Sequence, residues 1–145
     1  MSIKITSKFN LTAVRKRLEE GVSKKVKMIT TAYKAAGIDF VDTARRNKTF
    51  GDITHDLVSS MGCILVVNHV EVFNYFPGFN ENGVSKGLAY AREIALLVED
   101  GGIVLVCVAG MDYARAVEDR GKDVITGTDL KFKRILSTHL AAIKR

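Results

Sequence analysis

Residues 101–124 read GGIVLVCVAGMDYARAVEDRGKDV. Seven apolar residues, Ile103 to Ala109, end at Gly110, and the next ten positions carry a tyrosine, two arginines, a glutamate and two aspartates. An apolar, mostly β-branched run of that length between glycines reads as a buried strand. The residues after it have the spacing of a short helix. Tyr113, Ala116 and Val117 fall three and four apart and predict one core-facing side, with Arg115, Glu118 and Asp119 turned away. Asp112, or the turn before it, is the expected cap, and Gly121 permits the positive φ that stops a helix. An apolar strand delivering polar residues suits either a reaction centre or a packing corner. The helical spacing favours the corner, and its charges then become contacts for a neighbouring subunit.

Working outward, Ser59 to Val67 is a second apolar and β-branched run, and a strand is expected at about 60–70. Whether the two strands pair parallel or antiparallel is left open by the sequence. Between them, NYFPGFNENG (74–83) holds the chain's single proline and reads as a loop. VSKGLAYAREIALLVED (84–100) places Val84, Leu88, Ala91, Ile94, Ala95 and Val98 on one helical face and stops at two glycines. From about Asp129 to Lys144, Leu130, Phe132, Ile135, Leu136, Leu140 and Ile143 form the apolar face of a last helix, with Thr126 or Thr128 as its cap.

The N-terminal third has the strongest periodicity. Leu11, Val14, Leu18, Val22, Val26, Ile29, Ala32, Ala35, Ile38, Val41 and Ala44 are spaced by three or four throughout. Asn10 is a good N-cap for this helix. As one rod it would run roughly 50 Å at 1.5 Å per residue, against a radius of gyration near ~15 Å for a globule of this size. A break near Gly21 is therefore expected, with Gly37 the other inexpensive position. An unbroken helix would leave an end whose apolar stripe needs a neighbour. The fold class is α+β: a small antiparallel or mixed sheet packed against a long N-terminal helix, a middle helix and a C-terminal helix. With 145 residues and 47% hydrophobic content, one domain is expected over 1–145.

No stretch approaches the ~18 apolar residues of a membrane span, and the first ten residues are too polar for a signal peptide, so a cytosolic chain without a membrane partner is expected. Cys63 and Cys107 sit in apolar runs and read as reduced, buried side chains rather than a disulfide. The net charge is +6, distributed in blocks. Residues 1–50 carry 12 Lys/Arg against 4 Asp/Glu, residues 51–125 carry 5 against 11, and residues 126–145 carry 5 against 1. A dedicated nucleic-acid binder concentrates positive charge without an opposing acidic block. Alternating blocks suit contacts between copies, although solvated helix faces produce the same pattern.

Catalytic arrangements are weakly supported. His55 lies between Asp52 and Asp56 with Cys63 eight residues on, but Ile64, Leu65 and Val66 beside the thiol disfavour the electropositive setting a nucleophile needs. His55, His69 and His139 lack metal-site spacing, and read as surface or capping residues. Glu99, Asp100, Glu118, Asp119 and Asp123 have nothing that forces them to converge on magnesium. No phosphate-loop motif is present. Phe73, Tyr75, Phe76 and Phe79 suit core packing or partner contact better than base stacking, having no Lys or Arg nearby until Lys86. No cofactor is expected, and no enzymatic activity.

The order of elements, a basic amphipathic first helix, FGDITHDLVSSMG (50–62) running into a strand, a variable loop, and IVLVCVAGMDYARAVEDRG (103–121), resembles the tail-completion, or head–tail joining, proteins of long-tailed bacteriophages and prophages. Gly51 and Ile53 match that family's Thr-Gly-x-Leu pattern, with Phe50 where threonine is usual. Tyr113, Ala114, Val117, Glu118 and Gly121 match its Tyr-Ala-x-x-Val-Glu-x-Gly pattern, with one extra residue before the glycine. The resemblance covers residue 10 to the end and implies a structural virion protein at the head–tail junction. It further implies copies of the chain in a ring, portal or adaptor and tail-tube or tail-terminator proteins as partners, and DNA passing through the lumen. The competing expectation is a small basic nucleic-acid-binding protein, resting on the N-terminal helix alone; a hydrolase using the acidic turn or Cys63 is third.

Overall fold

The computed structural model describes residues 10–51 and 53–144. Helix α1 runs without interruption from Leu11 to Asn47, 37 residues, with the Asn10 side chain accepting from the Thr12 and Ala13 amides. The break expected near Gly21 does not occur. One glycine costs only about 1 kcal/mol against alanine in a helix, and the surrounding leucines, lysines, arginines and glutamates are strong helix formers. Every residue from Leu11 to Lys27 is exposed, while Ala32, Ala36, Gly37, Phe40, Val41 and Ala44 are buried. The stripe is continuous, yet only its second half meets the body of the protein. The first half is a free-standing arm of about 25 Å.

A short helix α2, Asp56–Ser59, leads into strand β1, Met61–Val67. The strand expected to reach residue 70 ends sooner. Asn68 and His69, at φ 48° and 67°, form a two-residue turn, and a second strand, β2, follows at Val70–Tyr75. Positive φ at both central positions is what a type I′ hairpin requires. Asn-His lacks the glycine that usually announces such a hairpin, so composition does not reveal it, and Asn74 and Tyr75, expected in the loop, end β2. Helix α3 spans Glu81–Leu96, capped by Asn80 through the Asn82 and Gly83 amides, three residues earlier than the apolar spacing implies. Strand β3, Ile103–Ala109, completes an antiparallel sheet of order β2-β1-β3. Helix α4, Ala114–Asp119, and helix α5, Thr126–Ala141, close the chain before a 3-10 turn at Ala142–Lys144.

The sheet separates two helical layers. Ile64, Val66, Val104, Val106 and Val108 face α3 through Leu88, Ala91, Ile94 and Ala95. Cys63, Leu105, Cys107, Phe73 and Tyr75 face α1 and α5 through Phe40, Val41 and Phe132. Central β1 is buried on both sides from Met61 to Val66, which explains its unbroken apolar run. A bulge opposite Leu65 and Val66 turns Glu71 toward α3, where Arg92 holds it at 2.8 Å. Phe132, Ile135, Leu136 and Leu140 of α5 and Ile143 of the 3-10 turn are half-buried, but Leu130, expected on the same face, is 82% exposed. Its position lies off the stripe formed by the other five.

Gly37 lets α1 cross the sheet at close range. A methyl group there would come within 2.8 Å of Cys63 Sγ and 3.0 Å of Leu105 Cδ1, whereas one at Gly21 would meet nothing within 4 Å. The two glycines of α1 therefore predict opposite outcomes. In denaturant unfolding, Gly21→Ala is expected to add up to about 1 kcal/mol. Gly37→Ala is expected to lose about 1–3 kcal/mol from overpacking, despite the same gain in helix propensity.

Candidate assembly interface

Segments 50–62 and 103–121 meet in space, and the residues that flank them are tied together. The Thr49 amide donates to the Asp123 carbonyl at 3.3 Å, and the Asp123 amide donates to Thr49 Oγ1 at 2.7 Å. Phe50 and Val124 then enter one buried cluster with Ala44, Leu57, Val58, Met61, Ala109 and Met111, against which Ala114 and Val117 pack. Gly51 is exposed and Ile53 is 96% exposed, so this end of the molecule offers them to solvent. Asp52, which figured in the histidine arrangement, lies outside the described residues.

Helix α4 corrects the expected helical face. Tyr113 stands before the first turn and is 41% exposed, Ala116 is exposed, and Ala114 and Val117 make the core contact. Tyr113 lies before the helix, so its side chain does not follow the helical spacing that joined it to Ala116 and Val117, and the inward pair is Ala114 with Val117, three apart. The N-cap position of α4 is held by Tyr113 and not by Asp112. Gly121, at φ 77°, ends the helix.

Glu118 points to a neighbouring element rather than to open solvent. Its Oε1 accepts from the Ile125 amide at 3.0 Å, the Thr126 amide at 3.1 Å and Thr126 Oγ1 at 2.8 Å. Asp123 Oδ1 accepts from the Gly127 amide at 2.9 Å. The first turn of α5 is thus capped by carboxylates from outside it, and not by the side chains of Thr126 or Thr128. Charged acceptors suit the positive end of a helix. Burial is the largest influence on the Glu118 carboxyl and acts to raise its pKa, but the hydrogen bonds from Ile125 and Thr126 together outweigh it and hold the group below its ordinary 4.5.

Two open grooves run beside this corner. One of about 570 Å³ is lined by Tyr90 and Ile94 of α3, the end of β3, and Asp112, Arg115, Glu118 and Asp119 around α4. The other, about 350 Å³, lies between α3 and α5 and is lined by Val98, Val104, Val106, Leu105, Asp129 and Phe132 among others. Ile94, Cys107 and Ile125 belong to both. Since Val104 and Val106 face α3 while Leu105 and Cys107 face α1, the second groove straddles the outer edge of β3, which among the described residues pairs only with β1. The apolar run was legible in the sequence. What the turn concealed is β2, which covers the other side of β1 and makes β1 the central strand, while β3 is an edge with or without it.

The residues weighed for chemistry are dispersed or occupied. Cys63 and Cys107 are free thiols opposite each other on β1 and β3. A hydrogen bond with Cys63 and burial push the Cys107 thiol far up, away from the thiolate a nucleophile requires. His139 Nε2 lies 3.2 Å from Asp39 Oδ2, and the His55 ring stacks near Phe79 at 5.1 Å. Among the described residues no group of three His, Cys, Asp or Glu side chains is placed to hold a metal ion, and no helix is long and apolar enough to cross a membrane. Tyr75 donates to Asp42 at 2.9 Å, Phe73 lies under Lys34, and Phe76 fills the space over Gly62. Of the loop aromatics, Phe79 is 73% exposed.

Comparison with known protein families, curated proteins and solved structures finds no match.

The Glu118 cap predicts a specific acid sensitivity. A carboxyl whose pKa is lower in the folded chain contributes stability that is present above pH 4.5 and lost as pH falls through the folded value. Glu118→Ala is expected to lower the unfolding free energy at pH 7 by about 1–2 kcal/mol. Urea titrations at pH 7 and at successively lower pH should show that difference shrink as the pH falls through the folded value of Glu118.

Proposed function

We propose that this chain is a structural assembly protein of the head–tail connector of a tailed phage or prophage, acting in the neck or tail-completion position. Copies join in a ring between portal or adaptor proteins and the tail tube or tail terminator, and DNA passes through the lumen without sequence-specific contacts. No bond is made or broken. The observation that carries this reading is the arm of α1, on which Leu11 is 80%, Leu18 65% and Val22 63% exposed along a stripe continuous with the buried core face. Each aliphatic side chain fully removed from water contributes about 1.5–3 kcal/mol. A row of them on a free helix is a surface awaiting another chain.

The resemblance of residues 50–62 and 103–121 to tail-completion proteins supplies the identity of the assembly. Segments 50–62 and 103–121 share one buried cluster, in which Phe50, Leu57, Val58 and Met61 of the first meet Ala109 and Met111 of the second, and that contiguity supports the reading. A nucleic-acid-binding role is the second reading, favoured by exposed Arg15, Lys16, Arg17, Lys24, Lys25 and Lys27 on the arm. Neutralising phosphates requires those charges but not the exposed leucines and valines among them.

Replacing Leu18 and Val22 together by aspartate removes two stripe residues and is expected to weaken self-association at least a hundredfold, since about 3 kcal/mol corresponds to that factor. Sedimentation and negative-stain imaging, with and without a portal or tail-tube partner, should show rings for the wild-type chain and none for the variant. Unchanged rings in the variant would remove the arm from the assembly. A chain that stays monomeric with both partners, yet binds DNA in a salt-dependent way that Lys24, Lys25 and Lys27 replacements abolish, would overturn the reading in favour of the second.

A further inference from the structure

Two apolar features of this chain are uncovered, and they match in length and in charge. The arm's stripe from Leu11 to Val26 extends about 22 Å at 1.5 Å per residue. The free edge of β3, seven residues with the sequence IVLVCVA, extends about 23 Å at roughly 3.3 Å per residue. Edge strands are normally blunted by charge, proline, a bulge or a covering element. The other edge of this sheet follows that rule, because β2 carries a bulge and the Glu71–Arg92 pair. Strand β3 has none of these within it, and the grooves lie along it.

Charge selects between the possible occupants of that edge. Residues 11–27 carry six Lys/Arg against two Glu. By helical spacing, Arg15 and Lys25 flank the stripe, three positions from Leu18 and Val22 respectively. The two grooves are lined by four carboxylates, Asp112, Glu118, Asp119 and Asp129, against the single Arg115. Packing arm against arm would set positive on positive, whereas arm in groove sets positive on negative.

We infer that the arm of one copy lies along the free edge of β3 in the next copy, its apolar stripe seated between α3 and α5 and its basic flanks against the acidic rim. This rests on the assembly reading and names its contact surface. The interface is heterologous, so successive copies close into a ring or continue as a filament. It also supplies a covering helix for the β3 edge, which no described residue of its own chain pairs with, since α1 is continuous and holds its own arm clear of the body.

Two variants test this by complementation. The arm variant is Leu18→Asp with Val22→Asp. The groove variant is Asp112→Lys, Asp119→Lys and Asp129→Lys, three exposed positions whose replacement leaves the core intact. Circular dichroism checks that both remain folded, and sedimentation reads their association. Each variant alone is expected to be monomeric, and an equimolar mixture to form a one-to-one pair, because the mixture offers one intact arm and one intact groove. That pair is expected to dissociate as salt is raised. A mixture that stays monomeric while the wild-type chain assembles overturns the arm-in-groove contact and leaves the assembly reading standing. A groove variant that assembles alone does the same. A wild-type chain that is monomeric at every concentration, alone and with portal or tail-tube partners, overturns both.

Discussion

The space between Gly37 and the Cys63 sulfur governs how α1 sits on the sheet. With no side chain at that position, the helix backbone comes close enough to rest on β1 and on Leu105 of β3. Phe40, one turn on, then meets Phe132 edge to face at 5.7 Å, and Asp39 and Asp42 reach His139 and Tyr75. Helix α5 is drawn alongside by the same register. Because α1 is one rod, fixing it at Gly37 also fixes where its N-terminal half lies. Seventeen residues, Leu11 to Lys27, stand outside the body and take their apolar stripe with them. The feature that supports an assembly role is thus a consequence of the contact that organises the core.

A second constraint acts at the corner where β3 ends. A methyl group on Gly110 would fall 2.4 Å from the Gly87 Cα, so strand end and helix α3 approach through bare backbone. The chain turns there into α4, and Glu118 reaches onward to hold the first turn of α5. The polar burst after Gly110 therefore contains two kinds of charge. Glu118 is committed to the fold, while Asp112 and Asp119 remain exposed on the rim of a groove. Spacing alone put Glu118 and Asp119 in the same class, since both lie off the apolar face of α4. Only the position of α5 distinguishes them.

Periodicity alone established much about this protein. The stripe from Leu11 to Ala44, the apolar runs at β1 and β3, the α3 face and the glycine stop after α4 follow from side-chain spacing, because a helix repeats near 3.6 residues and a buried strand tolerates no charge. The α+β class follows from those elements. What tertiary structure decided is which apolar surfaces find a partner. Gly21 and Gly37 are the same residue in the same helix, and the sequence treats both as weak points; one lies in solvent and the other against a sulfur atom. The Asn68-His69 turn adds a strand that composition did not announce, and with it β1 becomes central while β3 stays an edge. Spacing records that a surface is apolar, but whether it is covered depends on where other segments arrive. In this chain the arm and the β3 edge have the composition of core and the position of surface.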